Sequence, residues 1–143
     1  MRAREFREAL KRGQSSFSSR TMEGDLDLNN TVLSHRLDLS YTALTGGLSF
    51  VDTVVRGYLH LQNAVIEDDL NLRVAIVRGD LILSSAHIKG DLILDGTIVK
   101  GDLNLAYIKV EKRRIINNVA IGGWLISENG ALSGIRLSME KLL

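Results

Sequence analysis

The sequence contains no cysteine and no proline, and aromatic residues account for only 5% of its 143 positions. The lack of cysteine excludes disulfide bonds and thiolate metal sites. A globular core usually takes much of its bulk from aromatic side chains, so their scarcity predicts a core of thin aliphatic layers. The chain also has no apolar run of about 18 residues, the length that a transmembrane helix needs.

An excess of one charge sign is also missing, because 18 Lys and Arg stand against 17 Asp and Glu. A nearly neutral molecule has no general attraction to nucleic acid, so nucleic acid is not predicted as a partner. The first residues, MRAREFREALKRG, lack the apolar region of a secretory signal. We therefore expect a soluble, folded protein of the cytoplasm.

An eleven-residue repeat is present instead, and it is plainest in GDLILSSAHIKGDLILDGTIVKGDLNLAYIKV at 79–110. Repeat position 1 is glycine in six of eight units, with His35 and Asp68 in the other two. Position 3 is leucine in all eight units, beginning at Leu26, and position 5 is leucine except at Phe50. Position 8 is Thr, Ala or Ile, and position 10 is aliphatic throughout. Four regular columns indicate one structural unit repeated eight times.

Each unit contains two apolar pairs, at positions 3 and 5 and at positions 8 and 10. A spacing of two residues is the period of a β-strand, whose alternate side chains lie on one face. Glycine at position 1 and polar residues at positions 6 and 7 predict turns between the pairs. Facing strands need roughly 10 Å between them, so one unit cannot enclose its own leucines. Two units, or 22 residues with four sides, are therefore predicted to form one coil.

The outward-facing positions favour the same coil length, because their residue types alternate from unit to unit. In one set of units, positions 9 and 11 hold Val32, Val54, Ile76, Ile98 and Ser34, Arg56, Arg78, Lys100. In the other set they hold Ala43, Val65, His87, Lys109 and Thr45, Glu67, Lys89, Glu111. A period of 22 residues is expected where the opposite faces of one coil differ.

Apolar pairs that alternate with corners resemble the pentapeptide-repeat family over residues 24 to 111. This resemblance implies an all-β, right-handed quadrilateral β-solenoid, and it implies a target-mimicking inhibitor as an alternative function. The sequence departs from the family because its steps alternate between five and six residues and because leucine fills position 3. The Gly-Asp-Leu-x-Leu phrase also resembles the bactofilins, which do not share the eleven-residue period. That resemblance implies a second alternative, a self-assembling filament subunit.

We divide the chain into three parts: an N-terminal helix cap and linker at 1–23, solenoid repeats at 24–122, and a C-terminal cap or dimerisation segment at 123–143. The repeats correspond to about four to five coils. A solenoid exposes strand edges and an open core at its two ends, so both ends need covering.

The two terminal segments carry their own signals. Near the N-terminus, Ala3, Phe6 and Leu10 share one side of a predicted helix, surrounded by basic residues. A cap is the favoured interpretation, and peripheral contact of this helix with a membrane or a partner is the alternative. Near the C-terminus, Trp124 is the single tryptophan, and it is predicted to cover the last coil or to contact a second copy.

The histidines and glycines give no sign of catalysis. His35, His60 and His87 occupy three different repeat positions, so they form neither a metal pair nor a catalytic dyad. The Gly-Asp phrases lack the Gly-x-Gly-x-x-Gly spacing of a nucleotide-binding loop. We therefore predict that the protein is not an enzyme and that it binds no cofactor.

The aspartates of the Gly-Asp phrases form two columns, Asp25, Asp69 and Asp91 in one and Asp80 with Asp102 in the other. Stacked carboxylates attract cations, but Ca²⁺ takes about six to eight oxygen ligands. Ion pairs with Arg or Lys at position 11 are favoured instead, as in the phrases RGD and KGD. No metal site is predicted.

One surface remains as a candidate site. A 22-residue coil aligns Val54, Arg56, Ile76, Arg78, Ile98 and Lys100 as a β-branched row beside a basic row. Stacked β-branched residues stabilise a ladder by themselves, whereas contiguous exposed apolar area usually marks a protein contact. We predict a non-catalytic scaffold or protein-binding module, with an unknown protein partner and with a homodimer or an end-to-end polymer as forms of self-association.

Overall fold

The computed structural model describes residues 1–128, 130–133 and 136–137, the last two segments as backbone only. Within these segments the chain forms one helix, α1 (Ala3–Lys11), and 22 strands. Strands β1 to β18 have two residues each, because an inward apolar side chain is followed within a few residues by a corner. Strands β2 to β17 are the ones predicted from the sixteen apolar pairs of the eight units, whereas β1 and β18 lie outside those units.

The strands form four sheets, and each sheet takes every fourth strand of the solenoid. The first sheet contains β1 (Thr21–Met22), β5 (Ala43–Leu44), β9 (Val65–Ile66), β13 (His87–Ile88) and β17 (Lys109–Val110). The second contains β2 (Leu26–Asp27), β6 (Leu48–Ser49), β10 (Leu70–Asn71), β14 (Leu92–Ile93) and β18 (Arg114–Ile115). The third contains β3 (Val32–Leu33), β7 (Val54–Val55), β11 (Ile76–Val77), β15 (Ile98–Val99), β19 (Val119–Ile121) and β22 (Arg136–Leu137). The fourth contains β4 (Leu37–Asp38), β8 (Leu59–His60), β12 (Leu81–Ile82), β16 (Leu103–Asn104), β20 (Trp124–Ser127) and β21 (Gly130–Ser133).

Every parallel strand pairing joins residues that are 22 positions apart in the chain. Ala43 pairs with Val65 in the first sheet, and Val54 pairs with Ile76 in the third. The chain therefore visits all four sheets once per coil, and about five coils stack to make the solenoid. The predicted β-solenoid with a 22-residue coil and four sides is confirmed.

The interior holds the four apolar columns of the repeat. The leucines at positions 3 and 5 are buried, and Phe50 takes the place of one of them without becoming exposed. Fully burying one leucine side chain contributes about 1.5–3 kcal/mol. Buried threonines keep their hydroxyls satisfied: the Thr53 hydroxyl donates to the Leu28 carbonyl at 2.6 Å, and the Thr97 hydroxyl donates to the Leu72 carbonyl at 2.7 Å.

The corners depend on a left-handed residue at repeat position 7. These residues have φ between 51° and 72°: Ser19, Asn30, Tyr41, Asp52, Asn63, Val74, Ser85, Gly96, Tyr107 and Asn118. Several corners are also fixed by a side chain at position 4, as where the Asp38 carboxylate accepts the Ser40 backbone N–H at 2.9 Å. The chain therefore turns at positions 6 and 7, as the polar residues there predicted, and it bends again at positions 11 and 1.

Glycine at position 1 is required because neighbouring coils approach closely there. A Cβ atom on Gly57 would lie 2.7 Å from the backbone nitrogen of Arg36, and one on Gly79 would lie 2.7 Å from that of Tyr58. Real Cβ atoms do not come so close to backbone, so a side chain would push the coils apart. From Gly46 onward, the position-1 glycines of the eight units lie outside the left-handed region.

The N-terminal end is covered on two of its four sides. Residues Phe6 and Ala9 of α1 are buried, and the Phe6 and Phe17 rings lie 4.6 Å apart. The Glu23 backbone N–H donates to the Met1 carbonyl at 2.7 Å, which extends the first sheet. A bridge between Ser16 and Asp38 extends the fourth sheet in the same way. Strands β2 and β3 receive no partner at this end within the described residues.

The C-terminal end is covered on a different pair of sides. Strand β21 pairs antiparallel with β20 on the fourth sheet, and β22 pairs antiparallel with β19 on the third. In the described part of the chain, β17 and β18 remain the outer strands of the first and second sheets. The predicted C-terminal segment 123–143 is described only in part, since residues 129, 134–135 and 138–143 lie outside the described residues.

Candidate protein-contact face

The third sheet presents a row of β-branched side chains that we call the third-sheet ridge, made of Val54, Ile76 and Ile98 with Val32 at its end. Pairings of Val32 with Val54, of Val54 with Ile76 and of Ile76 with Ile98 place the four directly above one another. The inner three are half-buried, whereas Val32 is 55% exposed because its strand lies at the open edge. The structure therefore aligns the residues that the sequence grouped.

Beside the ridge runs a column of three cations, Arg56, Arg78 and Lys100, which we call the basic column. Each lies at repeat position 11, so consecutive members are one strand spacing apart, about 4.8 Å along the axis. All three side chains are exposed. Among the described residues, no carboxylate lies within ion-pair distance of any of them. Like charges stacked directly across strands are destabilising.

The first sheet, on the opposite side of the solenoid, has a different charge pattern at repeat position 11. In the first sheet the position-11 column reads Glu67, Lys89, Glu111, so the charges alternate in sign. The Lys89 ammonium lies 3.1 Å from the Glu67 carboxylate, and His87 Nε2 lies 3.4 Å from a Glu111 carboxylate oxygen. The first sheet pairs its position-11 cation with a carboxylate, whereas the third sheet leaves its three cations unpaired.

The aspartates of the Gly-Asp phrases hold adjacent coils together. The Asp80 carboxylate accepts the backbone N–H of Asp102 at 2.8 Å, and the Asp102 carboxylate accepts that of Trp124 at 2.8 Å. Asp25 and Asp69 accept the backbone N–H 22 residues further on in the same manner. The predicted ion pairs of these aspartates with position 11 were wrong, because the carboxylates point along the axis towards the next coil.

Asp91 makes the same bond and also an ion pair. Its carboxylate accepts the Arg113 backbone N–H at 2.9 Å and lies 3.0 Å from a guanidinium nitrogen of Arg113. The Arg113 side-chain hydrogen bond, helped by the backbone bond, lowers the pKa of Asp91 below its ordinary value. Asp91 thus pairs with Arg113, which occupies position 2 of the next coil. This pair lies beside β18, the outer strand of the second sheet.

The three histidines lie apart from one another. His60 stacks on Tyr58 with ring centroids 3.7 Å apart, and desolvation lowers the pKa of His60 in spite of nearby Asp38 and Asp80. His87 belongs to the first sheet, and His35 lies near the N-terminal end. No group of three or more metal-ligating side chains occurs within the described residues. The absence of catalytic activity stays a prediction.

Trp124 begins β20 with its side chain 51% exposed, while its neighbour Leu125 enters the core. It follows Asp102 in the position-2 column of the fourth sheet, so the indole lies outside the solenoid. A contact between Trp124 and a second copy stays a prediction.

Sequence reasoning also missed a basic groove between α1 and the outer edge of β3. Its signal was the cluster of Arg and Lys in residues 1–12, which was assigned to the surface of a cap. No helix in the described part of the chain is long and apolar enough to cross a membrane. Comparisons of the chain with protein-family models, curated proteins and solved structures found no match.

Proposed function

We propose that the protein is a non-catalytic β-solenoid scaffold that binds a protein partner through the third-sheet ridge and the basic column. The observation that carries this proposal is the unpaired basic column beside half-buried β-branched side chains, opposite a first sheet whose position-11 charges alternate in sign. The unpaired cations repel one another, which reduces stability, and they form no ion pair within the described part of the chain. A partner that supplies carboxylates would remove the repulsion and cover the ridge.

The partner implied by this chemistry is a protein surface with acidic groups beside an apolar strip. Exposed charges steer association and set specificity, and their effect weakens with added salt. The ridge supplies the apolar area that a contact needs, because Val54, Ile76 and Ile98 are only half-buried. We therefore expect the complex to dissociate more readily as the salt concentration rises.

The other functions considered from the sequence gain less support. An end-to-end filament that continues all four ladders needs open edges at both ends of every sheet, but the fourth sheet is extended beyond the coils at both ends. A target-mimicking inhibitor of the pentapeptide-repeat kind would imitate nucleic acid with a strongly acidic surface, but the chain has 18 basic and 17 acidic residues. Kinship with the pentapeptide-repeat family remains part of the proposal and rests on the repeat pattern alone.

The test is the double substitution Ile76→Glu with Arg78→Glu, which reverses both chemical features of the face. Wild-type and variant proteins serve as bait, the retained proteins are identified, and the principal one is purified for titration at two salt concentrations. We expect at least about a tenfold loss of affinity, equivalent to 1.4 kcal/mol. The solenoid itself should stay folded, since both side chains point away from the core.

The matched control is His87→Glu with Lys89→Glu, which makes the same change at positions 9 and 11 of the first sheet. Circular dichroism and light scattering of all three proteins check the fold and the oligomeric state. Equal loss of affinity in both double variants, or no loss in the third-sheet variant, would contradict the assignment of the face.

A further inference from the structure

The outer edge of β3 carries backbone groups that no strand satisfies. In the third sheet, the N–H groups of positions 9 and 11 donate to the preceding coil, as where Val54 donates to Thr31 at 2.9 Å and Arg56 donates to Leu33 at 3.0 Å. The equivalent groups of β3 are the N–H groups of Val32 and Ser34. No coil precedes them, and among the described residues neither has an acceptor.

This edge forms one wall of a groove with a volume of about 430 Å³. Helix α1 forms the opposite wall and contributes Arg7, Leu10 and Lys11, while Leu28 and Val32 line the solenoid side. Both the helix side and the strand side therefore offer apolar surface, and the strand edge offers hydrogen bonds. The side chains of a ligand can thus contact the apolar walls while its backbone pairs with the strand edge.

The charge of the groove is unbalanced. Arg7, Lys11 and Arg36 line it together with a single carboxylate, Asp27. Lys11 lies 3.6 Å from Glu8 on the exposed helix surface, and Arg36 lies over the Tyr58 ring at 5.7 Å. Arg7 forms no ion pair within the described part of the chain. The groove therefore favours a ligand that carries carboxylates.

We propose that this groove binds an extended acidic peptide, which adds as a further strand to the outer edge of β3. An extended peptide is the ligand that provides carbonyl oxygens at the spacing of strand N–H groups, and β-strand addition is a common mode of peptide recognition. Carboxylate side chains of the peptide pair with Arg7 and Lys11 across the groove. The proposal uses the end of the solenoid and does not depend on the third-sheet ridge.

The outer edge of β3 is available for this role because the first and fourth sheets are already extended at the same end. Met1 extends the first sheet and Ser16 extends the fourth at the same end, so α1 and its flanks leave β2 and β3 without a strand. The edge strand has no proline and no inward-pointing charge, the usual features that block pairing. Val32 is 55% exposed, whereas the covered members of its column are half-buried.

The test is a titration with a labelled, end-capped peptide of alternating Glu and Val, followed by fluorescence anisotropy. We expect binding to wild-type protein, and a matched peptide with Lys in place of Glu should bind at least about tenfold more weakly. Val32→Pro removes the outward N–H without breaking an internal hydrogen bond, so it should lower the affinity by about tenfold while the melting temperature stays unchanged.

Two further double variants keep the test decisive if Val32→Pro disturbs the fold. Arg7→Glu with Lys11→Glu reverses the charge inside the groove and should abolish binding. Arg4→Glu with Arg12→Glu changes two cations of the N-terminal segment that lie outside the groove, and it should not affect binding. Failure of the Glu–Val peptide to bind, or binding that Val32→Pro and the groove variant leave unchanged, would overturn the proposal. It would also be overturned by a dimer that Val32→Pro converts to monomer, because the occupant would then be a second copy.

Discussion

At the scale of the residue, each unit of the solenoid contains one backbone conformation that most side chains resist. Position 7 has a positive φ in unit after unit, and asparagine occupies it at Asn30, Asn63 and Asn118. Asparagine tolerates this region, whereas a β-branched residue does so at a cost of roughly 1–2 kcal/mol. Val74, with φ 51°, is the β-branched exception and therefore a point of local strain.

Replacing Val74 by asparagine is expected to stabilise the protein. Val74→Asn should raise the free energy of unfolding by about 0.5–1 kcal/mol, because the strain is relieved and the residue is partly exposed in any case. Urea unfolding monitored by circular dichroism measures the change. The reverse substitution at the same repeat position, Asn63→Val, should lower stability by a similar amount. If both variants had the free energy of unfolding of the wild-type protein, position 7 would carry no strain.

The sequence predicted some residue roles and missed others for a physical reason. Leucines such as Leu81 were placed in the core correctly, because burial follows from hydrophobicity and a period of two. The role of Asp80 was missed, because its acceptor bond reaches a backbone N–H 22 residues away. Periodicity along one coil contains no information about which groups of the next coil lie within reach.

At the scale of the element, the first and third sheets differ in how charges are arranged at repeat position 11. Each column has one side chain per coil at a spacing of about 4.8 Å, so a side chain interacts mainly with the members directly above and below it. In the third sheet Arg78 lies between two cations, Arg56 and Lys100. In the first sheet Lys89 lies between two carboxylates, Glu67 and Glu111.

One charge reversal should therefore have opposite effects on the two sides. Arg78→Glu should stabilise the protein by about 0.2–1 kcal/mol, because the column becomes alternating, whereas Lys89→Glu should destabilise it by about the same amount. Thermal unfolding at low salt measures both changes. Both should shrink in high salt, since exposed charges are screened. Stabilisation by both substitutions would contradict the columns as described.

The ends of the solenoid were less predictable than its strands. The apolar spacing specified the strands and α1, but it did not specify which sheets the ends would cover. That choice depends on backbone hydrogen bonds such as the one from Glu23 to Met1, which involve groups common to every residue. The groove beside β3 follows from this choice, so the sequence alone did not reveal it.

At the scale of the whole molecule, the coil is the unit by which length can change. Residues 57–78 make up one coil, and their removal joins Arg56 to Gly79 in the same repeat register. Every later side chain then keeps its own face. Removal of residues 57–67 takes out half a coil, so every later strand would be carried to the opposite face.

A disulfide can report this difference, because the protein has no native cysteine. Arg56→Cys with Lys100→Cys places the two thiols about 10 Å apart in the full chain, two strand spacings, which is too far for a disulfide. Deletion of 57–78 should bring them to about 5 Å, and oxidation should cross-link them. Deletion of 57–67 should give no cross-link. Cross-linking of the full chain, as seen by non-reducing electrophoresis, would contradict the 22-residue coil.

The direction of the hydrogen bonds between coils also determines how the molecule would respond to mechanical load. The bonds from Val54 to Thr31 and from Ile76 to Thr53 run from one coil to the next, along the axis. Tension applied at the two ends acts on successive coils in series, so the weakest contact opens while the others stay closed. Each opening releases 22 residues, about 70 Å of extended chain. We therefore expect the solenoid to lengthen in steps under load.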